Sequence, residues 1–276
     1  MLQFAVDQDL CTQCDLCISD CPVRIIERPE NGYPRIVEDE ADDCMACQHC
    51  LAICPPGAVS ILGRDPESSQ PLSGEALPTL DAMERLVRGR RSVRQYRAGN
   101  VDPALLERLL KATANAPTGV NRQGLTFRVI DDHESMERFR RKAMAEVRDA
   151  LSAGEVPEQL QAVGRFVQAY FEEDRDLVFR GAPHALVVSA PPDAPCPQED
   201  VVLALAYFEL LAQSAGVGTV WCGLMKMVLE AKTSLKAELG LPADHAYYCM
   251  LFGNPAIEYA RTVQRDDGAA IRHVRL

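Results

Sequence analysis

Two cysteine runs near the start of the chain constrain its fold more than any other feature. They read CTQCDLCISDCP at residues 11–22 and CMACQHCLAICP at residues 44–55, and both follow the pattern C-x2-C-x2-C-x3-C-P. Three cysteines at consecutive two-residue intervals can wrap three corners of an iron–sulfur cube. Structural zinc, the alternative, is usually held by two C-x2-C pairs separated by a longer spacer. The runs therefore favour iron–sulfur clusters over zinc.

The paired runs resemble those of two-cluster bacterial ferredoxins, in which the fourth cysteine of each run ligates the other cluster. The resemblance implies two [4Fe–4S] clusters with crossed ligand sets. These sets are Cys11, Cys14, Cys17 and Cys54 for one cluster, and Cys44, Cys47, Cys50 and Cys21 for the other. The crossing ties the two halves together, and we expect residues 1–63 to form a ferredoxin domain.

The charge of the chain is unevenly distributed. The net charge is −11, and residues 1–63 contribute three arginines, no lysine and eleven acidic residues. An acidic domain argues against nucleic acid or an anionic membrane as a partner. It would suit docking to a basic patch on a redox-protein donor, although a solvated acidic face is the commoner explanation.

The N-terminal sequence shows no basic segment followed by an apolar one, as a secretory signal would. The longest apolar stretch, VVLALAYFELLA at 201–212, is interrupted by Glu209 and is too short to span a bilayer. We therefore expect a cytoplasmic protein, in which cysteine thiols stay reduced rather than forming a disulfide framework.

A change of composition after residue 63 predicts a linker over 64–80, followed by a second domain over 81–276. The linker is rich in Pro, Ser, Gly and Glu and shows no helical or strand periodicity. In the second domain, apolar spacing predicts helices near 80–90, 102–116, 134–150, 157–180, 199–216 and 228–240, and strands at 125–131, 185–190 and 245–253. The scattered strands suggest an α+β fold with a small central sheet.

An arginine-rich segment, RGRRSVRQYR at 88–97, follows the first of these helices. Forked guanidinium donors and a neighbouring hydroxyl match phosphate oxygens, so the segment indicates an anion site. A solvated charged face is the commoner reading of such a run. Three further segments support a binding site: the loop ANAPTGVNRQGLTF at 114–127, a Gly-containing turn GTVWCGLM at 218–225, and GNPAIEYARTVQR at 253–265.

Together these segments resemble the nitroreductase family of flavoproteins, and the whole chain resembles ferredoxin-fused members of that family. The resemblance implies a central, mainly antiparallel sheet flanked by helices. It also implies a homodimer with two FMN sites at its interface, each built from both chains, with the loop at 114–127 reaching FMN from the partner subunit. It implies FMN contacts from Arg90, Arg91, Ser92, Arg94, Pro117, Thr118, Asn121, Gln123, Gly223 and Arg265. Where the family often has Pro-Trp after the glutamine, this chain has Gly124 and Leu125, so substrate preference does not carry over.

Two of the remaining cysteines, Cys196 and Cys249, are expected to be inert. Cys222 is by default a small buried hydrophobe, and its position beside the inferred flavin leaves a redox role open. No side chain is identified as catalytic, because in this family the flavin makes and breaks the bonds.

The resemblance implies an FMN-dependent oxidoreductase that reduces nitro, quinone or activated-alkene small molecules with electrons delivered through the clusters. Two alternatives stay open. One is an electron-transfer protein that relays electrons between redox partners. The other is a nitroreductase that uses NAD(P)H as its donor and keeps the clusters for structure.

Overall fold

The structure, a computed structural model, describes residues 2–72, 77–265 and 267–276. Within them the chain forms two compact units, Met1–Pro78 with Val120–Arg122 and Thr79–Gly119 with Gln123–Leu276. Residues 73–76 of the predicted linker lie outside the described residues, as do Met1 and Asp266 of the two predicted domains. The domain boundaries at 63 and 80 therefore remain predictions.

The first unit is built from two similar halves of short elements. In chain order these are β1 (Ala5–Val6), α1 (Leu16–Ser19), β2 (Ile26–Glu27), β3 (Arg35–Ile36), α2 (His49–Ala52) and β4 (Val59–Ser60). Strand β1 pairs with β4 and β2 pairs with β3, both antiparallel. Each short helix begins after a left-handed residue, Asp15 at φ 60° and Gln48 at φ 61°. The duplication seen in the cysteine runs therefore extends to the backbone.

A small core holds the first unit together. Ile25, Ile26, Leu51, Val59 and Ile61 are buried in one cluster that also contains two of the cysteines, Cys17 and Cys50. With so few apolar side chains, a core of this size gives a domain little stability without additional cross-links or bound metal.

The second unit begins at Thr79, whose side chain accepts a hydrogen bond from Ala82 N and caps α3. Its elements are α3 (Leu80–Gly89), α4 (Pro103–Thr113), β5 (Thr126–Ile130), α5 (His133–Ser152), α6 (Gly164–Glu172), β6 (His184–Ala190), α7 (Pro197–Ser214), β7 (Gly218–Trp221), α8 (Gly223–Ala231), α9 (Ser234–Glu238) and β8 (Ala246–Gly253). Asp102 caps α4 by accepting from Leu105 N at 3.0 Å.

The four strands of the second unit form an antiparallel sheet in the order β5-β6-β8-β7. All seven residues of β6 are buried, because helices cover both faces of the sheet. On one face, Ala185 and Val187 pack in a core with α5, α6 and α8. On the other, Leu186 and Val188 pack with α4 and α7. The predicted α+β class and antiparallel central sheet are confirmed.

Three sequence predictions of secondary structure were wrong. The helix predicted over 157–180 is instead a 3-10 helix at Glu158–Val163 followed by α6, which ends at Glu172. Beyond α6, the Asp176 carboxylate accepts hydrogen bonds from the backbone N–H groups of Phe179 and Gly181. The segment 228–240 contains the end of α8 and the separate helix α9. The segment 218–225 is not a turn but strand β7 leading directly into α8.

Helix α7 packs its buried side on the sheet and leaves apolar side chains exposed on the other. Val202, Leu203 and Tyr207 are 45%, 40% and 42% exposed. In the described part of the chain, no helix is both long enough and apolar enough to cross a membrane.

Candidate functional site

The cysteines predicted to hold one cluster surround a common cavity in the first unit. Cys21, Cys44, Cys47 and Cys50 line it together with apolar side chains that include Ile26, Ile36 and Ile61. Burial, together with the neighbouring Cys47 and Cys44, raises the pKa of the Cys50 thiol to about 11. One cysteine from the first run thus joins three from the second, as the crossed ligand set requires.

Members of the other predicted set also lie close together. Burial raises the pKa of the Cys17 thiol, and the neighbouring Cys54 and Cys11 raise it further. Cys54 Sγ accepts a hydrogen bond from Ala58 N at 3.2 Å, and Cys14 is exposed at the edge of the unit. Cys11, Cys17 and Cys54 thus lie near one another, as three of the four ligands of one cube would.

In the described residues, no group of three or more His, Cys, Asp or Glu side chains is arranged to hold a single metal ion. His49, which lies inside the second cysteine run, is exposed and places its Nδ1 3.3 Å from Asp20 Oδ2.

The predicted anion site of the second unit is a cavity lined by arginines. Its lining residues are Val87, Arg88, Arg90, Arg91, Val263 and Arg265. Three of these arginines were predicted from sequence, and they come from segments more than 170 residues apart. Their convergence on one cavity makes this cavity the candidate anion site of the unit.

Arg90 is held in place from behind by helix α7. Its Nη1 donates to Glu209 Oε1 at 3.0 Å, and the Glu209 side chain is only 8% exposed. Thr219 Oγ1 donates to the same carboxylate oxygen at 3.5 Å. Glu209 therefore fixes one edge of the Arg90 guanidinium, which has further N–H donors.

Arg91 presents an unusual buried donor. Its Nη1 and Nη2 donate to the carbonyls of Arg90 and Arg88, whereas its buried Nε has no hydrogen-bond partner within the described chain. An unsatisfied buried N–H of a charged group is costly, and an oxyanion in the cavity would give this site a partner. The arginine-lined cavity thus fits a phosphate group.

Ser92 and Arg94 flank a segment that runs along the edge of the sheet. Ser92 bridges Thr219 of β7, and Val93 N donates to Thr219 O at 2.8 Å. Arg94 Nη1 donates to the carbonyl of Ser92 at 3.3 Å. This segment lies so close to β7 that a Cβ on Gly218 would stand 2.8 Å from Val93 Cγ2.

The predicted flavin loop is fixed by polar contacts of its own. Thr118 Oγ1 accepts from Gln123 N at 2.9 Å, and Gly119 N donates to the buried Asp200 Oδ1 at 2.9 Å. Pro117 and Gln123 are exposed. Asn121 is grouped with the first unit, where its Nδ2 donates to Met45 O at 2.8 Å.

Gly223 is the first residue of α8, and a Cβ there would stand 3.1 Å from Tyr248 Oη. The preceding Cys222 is buried; its Sγ donates to Val178 O and accepts from Met225 N, both at 3.3 Å. Burial raises the pKa of the Cys222 thiol to about 11. The protonated, hydrogen-bonded thiol behaves as the small buried group expected by default.

Of the ten residues predicted to contact FMN, Arg90, Arg91 and Arg265 line one cavity, whereas Pro117, Thr118, Gln123 and Gly223 lie on other segments of the second unit. Sequence reasoning did not assign roles to Asp200 and Glu209. The available signal was that Glu209 interrupts a long apolar run and that Asp200 directly precedes it.

Comparison with known proteins matches two families. Residues 87–254 match the nitroreductase family, and residues 10–59 match the 4Fe-4S dicluster domain. A ferredoxin of Pyrobaculum islandicum is 36% identical over 58 residues, which are 21% of this chain and 51% of that protein, so the chain spans about half of this relative. A ferredoxin of Methanocaldococcus jannaschii is 33% identical over 62 residues, 22% of this chain and 95% of that protein.

The second unit is similar to solved nitroreductases. A nitroreductase with bound FMN from Desulfitobacterium hafniense has a TM-score of 0.54 and 22% identity, covering 69% of this chain and 97% of that one. At this identity the likeness shows the fold, while the family match covers more than half of the chain. The chain therefore belongs to the nitroreductase family of oxidoreductases and carries a 4Fe-4S ferredoxin domain ahead of its nitroreductase domain.

Proposed function

We propose that this protein is an FMN-dependent oxidoreductase that reduces nitro, quinone or activated-alkene small molecules with electrons received through two [4Fe–4S] clusters. The observation that carries the proposal is the pairing of an arginine-lined cavity in one unit with two groups of neighbouring thiols in the other. Bound FMN exchanges electrons singly or in pairs, whereas a [4Fe–4S] cluster carries one at a time.

The chain's own residues supply the binding chemistry. Arg90, Arg91 and Arg265 would hold the phosphate through charge-assisted hydrogen bonds, with Ser92 and Arg94 close in sequence. Their positive charge also favours electron-rich flavin through electrostatic stabilisation. The eight cysteines would ligate the clusters in the crossed sets, since Cys21 shares a cavity with the second run and Cys54 lies near Cys17.

The remaining predicted FMN contacts, Pro117, Thr118, Asn121, Gln123 and Gly223, belong to the same proposal. D. hafniense nitroreductase is described with bound FMN, and we extend that cofactor to this chain. We also propose a homodimer, in which the exposed apolar side chains of α7 are covered by a second copy. Val202, Leu203 and Tyr207 are the apolar residues that such an interface would bury.

The electron-entry proposal is tested by removing a ligand outside the core of the first unit. Cys14 is exposed, so Cys14→Ala removes no buried side chain while disrupting the cluster that Cys14 is proposed to hold. We expect anaerobic reduction of a nitroarene or quinone by reduced ferredoxin to be abolished in this variant. Iron analysis and electron paramagnetic resonance verify the cluster loss, and Cys249→Ala removes a thiol outside both sets as the control.

Undiminished turnover by Cys14→Ala after verified cluster loss would contradict electron entry through the clusters. Turnover driven equally well by NAD(P)H in both proteins would favour the NAD(P)H-dependent alternative. Failure of every nitro, quinone and enoate acceptor, together with rapid oxidation by a redox protein, would favour the relay.

A further inference from the structure

Helix α7 contains two buried carboxylates, one just before and one within its long apolar run. Asp200 is 3% exposed and Glu209 is 6% exposed. They are separated by nine residues, about two and a half helical turns, so they project from opposite sides of the helix. Burying a carboxylate is costly unless it is paired or hydrogen-bonded. The cost of burying each carboxylate is therefore offset by its contacts, and each carboxylate contacts a different segment.

Glu209 contacts the arginine segment. Its Oε1 accepts from Arg90 Nη1 at 3.0 Å, and the Arg90 side chain, 25% exposed, lines the anion cavity at the same time. Thr219 donates to the same oxygen at 3.5 Å, which orients the carboxylate. An arginine held by one edge loses less rotamer freedom when its other edge binds an anion.

Asp200 contacts the loop segment. Its Oδ1 accepts from Gly119 N at 2.9 Å, between Thr118 and the following residues. Gly119 also packs tightly on the chain entering α7, since a Cβ there would stand 3.1 Å from Pro195 Cβ and 3.2 Å from Cys196 Sγ. The Asp200 carboxylate thus fixes the backbone of the loop at Gly119 next to the start of α7.

We propose that Glu209 and Asp200 are positioning residues of the flavin site, each for a different part of the ligand. Glu209 orients Arg90 for binding of the phosphate. Asp200 fixes the loop that carries Pro117, Thr118 and Gln123, which binds the rest of the flavin. The inference rests on the proposed FMN site. Helix α7 would thus support both segments. Glu209 would contribute to binding of the phosphate, and Asp200 to binding of the ring and ribityl chain.

The test compares FMN with riboflavin, which lacks the phosphate. Full-length, cluster-loaded protein is freed of flavin and titrated with each compound anaerobically by calorimetry. Glu209→Ala removes the charge-assisted hydrogen bond to Arg90. It should therefore weaken FMN binding about tenfold and change riboflavin binding less than about twofold. Glu209→Gln keeps an oxygen acceptor for Arg90 and should restore most of the FMN affinity.

Asp200→Ala should weaken FMN and riboflavin by the same factor, about tenfold, because the loop geometry serves both compounds. Asp200→Asn keeps an acceptor for Gly119 N and should restore most of the affinity for both. The control is Glu230→Gln, which alters a carboxylate paired with Lys236 at 2.8 Å and Tyr247 at 2.6 Å elsewhere in the unit. It should leave both affinities unchanged.

A double-mutant cycle checks that Glu209 acts through Arg90. Once Arg90 is replaced by Gln, Glu209→Ala should cost no further FMN affinity. An unchanged FMN-to-riboflavin ratio in Glu209→Ala, or a selective loss of FMN in Asp200→Ala, would overturn the inference while leaving the flavin site standing. Absence of flavin binding by the unaltered protein would overturn the proposed function itself.

Discussion

Replacement of Gly218 by alanine should displace the arginine segment of the candidate anion site. Gly218 opens strand β7, and its added Cβ would stand 2.8 Å from Val93 Cγ2 and 2.9 Å from Val93 Cβ and Cγ1. Ordinary van der Waals contact begins at 3.4 Å, so the overlap is at least half an ångström at three atoms. Val93 is 5% exposed, so its side chain is enclosed by the protein.

The backbone around Val93 is also tied down. Its N–H donates to Thr219 O at 2.8 Å, and its carbonyl accepts from Tyr96 Oη at 2.8 Å. Relief of the overlap must therefore displace the segment from Ser92 to Arg94. Overpacking of this kind costs about 1–3 kcal/mol. In a unit of this size, each kcal/mol lowers Tm by about 2–4 °C.

We expect Gly218→Ala to lower Tm by about 2–12 °C in thermal denaturation followed by circular dichroism, and to weaken FMN binding about tenfold through misplacement of the arginines. Gly89→Ala is the matched control. Gly89 ends α3 next to Arg90, has nothing within 4 Å of its added Cβ, and should gain stability of up to about 1 kcal/mol from helix propensity. A Gly218→Ala protein with the Tm and FMN affinity of the unaltered chain would refute the reasoning.

Three further predictions concern other parts of the second unit. Because burial raises the pKa of Cys222 to about 11, its thiol should stay protonated and unmodified by iodoacetamide at pH 8 in the native protein; rapid alkylation detected by mass spectrometry would contradict this. Asp102→Ala removes the cap that accepts from Leu105 N and should lower the free energy of unfolding by about 1 kcal/mol in urea titration, with FMN affinity unchanged; a loss of affinity would mean that α4 supports the site. Leu203→Glu places a charge on the exposed apolar side of α7 and should convert dimer to monomer in analytical ultracentrifugation. Leu72→Glu, at an exposed position of the first unit beyond β4, should not. Equal behaviour of the two variants would exclude α7 from the interface.

The features that the sequence predicts well are those determined by local spacing. The strand at 185–190 is a continuous apolar run, and β6 occupies His184–Ala190. The cap of α4 follows from Asp102 and Pro103, which satisfy the first turn whatever the rest of the fold does. The arginine segment indicates an anion site because its forked donors match phosphate oxygens, and this role stays a prediction.

The features that the sequence predicts poorly depend on partners distant in the chain. Strand β7 has only four residues, GTVW, and is formed because Val220 and its neighbours pair with β8 rather than because of their own propensity. The helix expected to reach residue 180 ends at Glu172, where Asp174 takes a left-handed conformation at φ 51°. Neither outcome can be read from periodicity, since tertiary pairing decides it.

Glu209 shows why a departure from a local pattern is informative. A leucine at this position would continue the apolar helix, and buried ion pairs are often no more stabilising than apolar side chains of similar volume. Stability of the helix therefore gives little reason for a carboxylate there. The geometry gives a better one, because the carboxylate meets Arg90, 119 positions earlier in the chain, at the wall of the anion cavity. The single acid that interrupts LALAYFELLA is thus explained by the site it faces rather than by the helix that contains it.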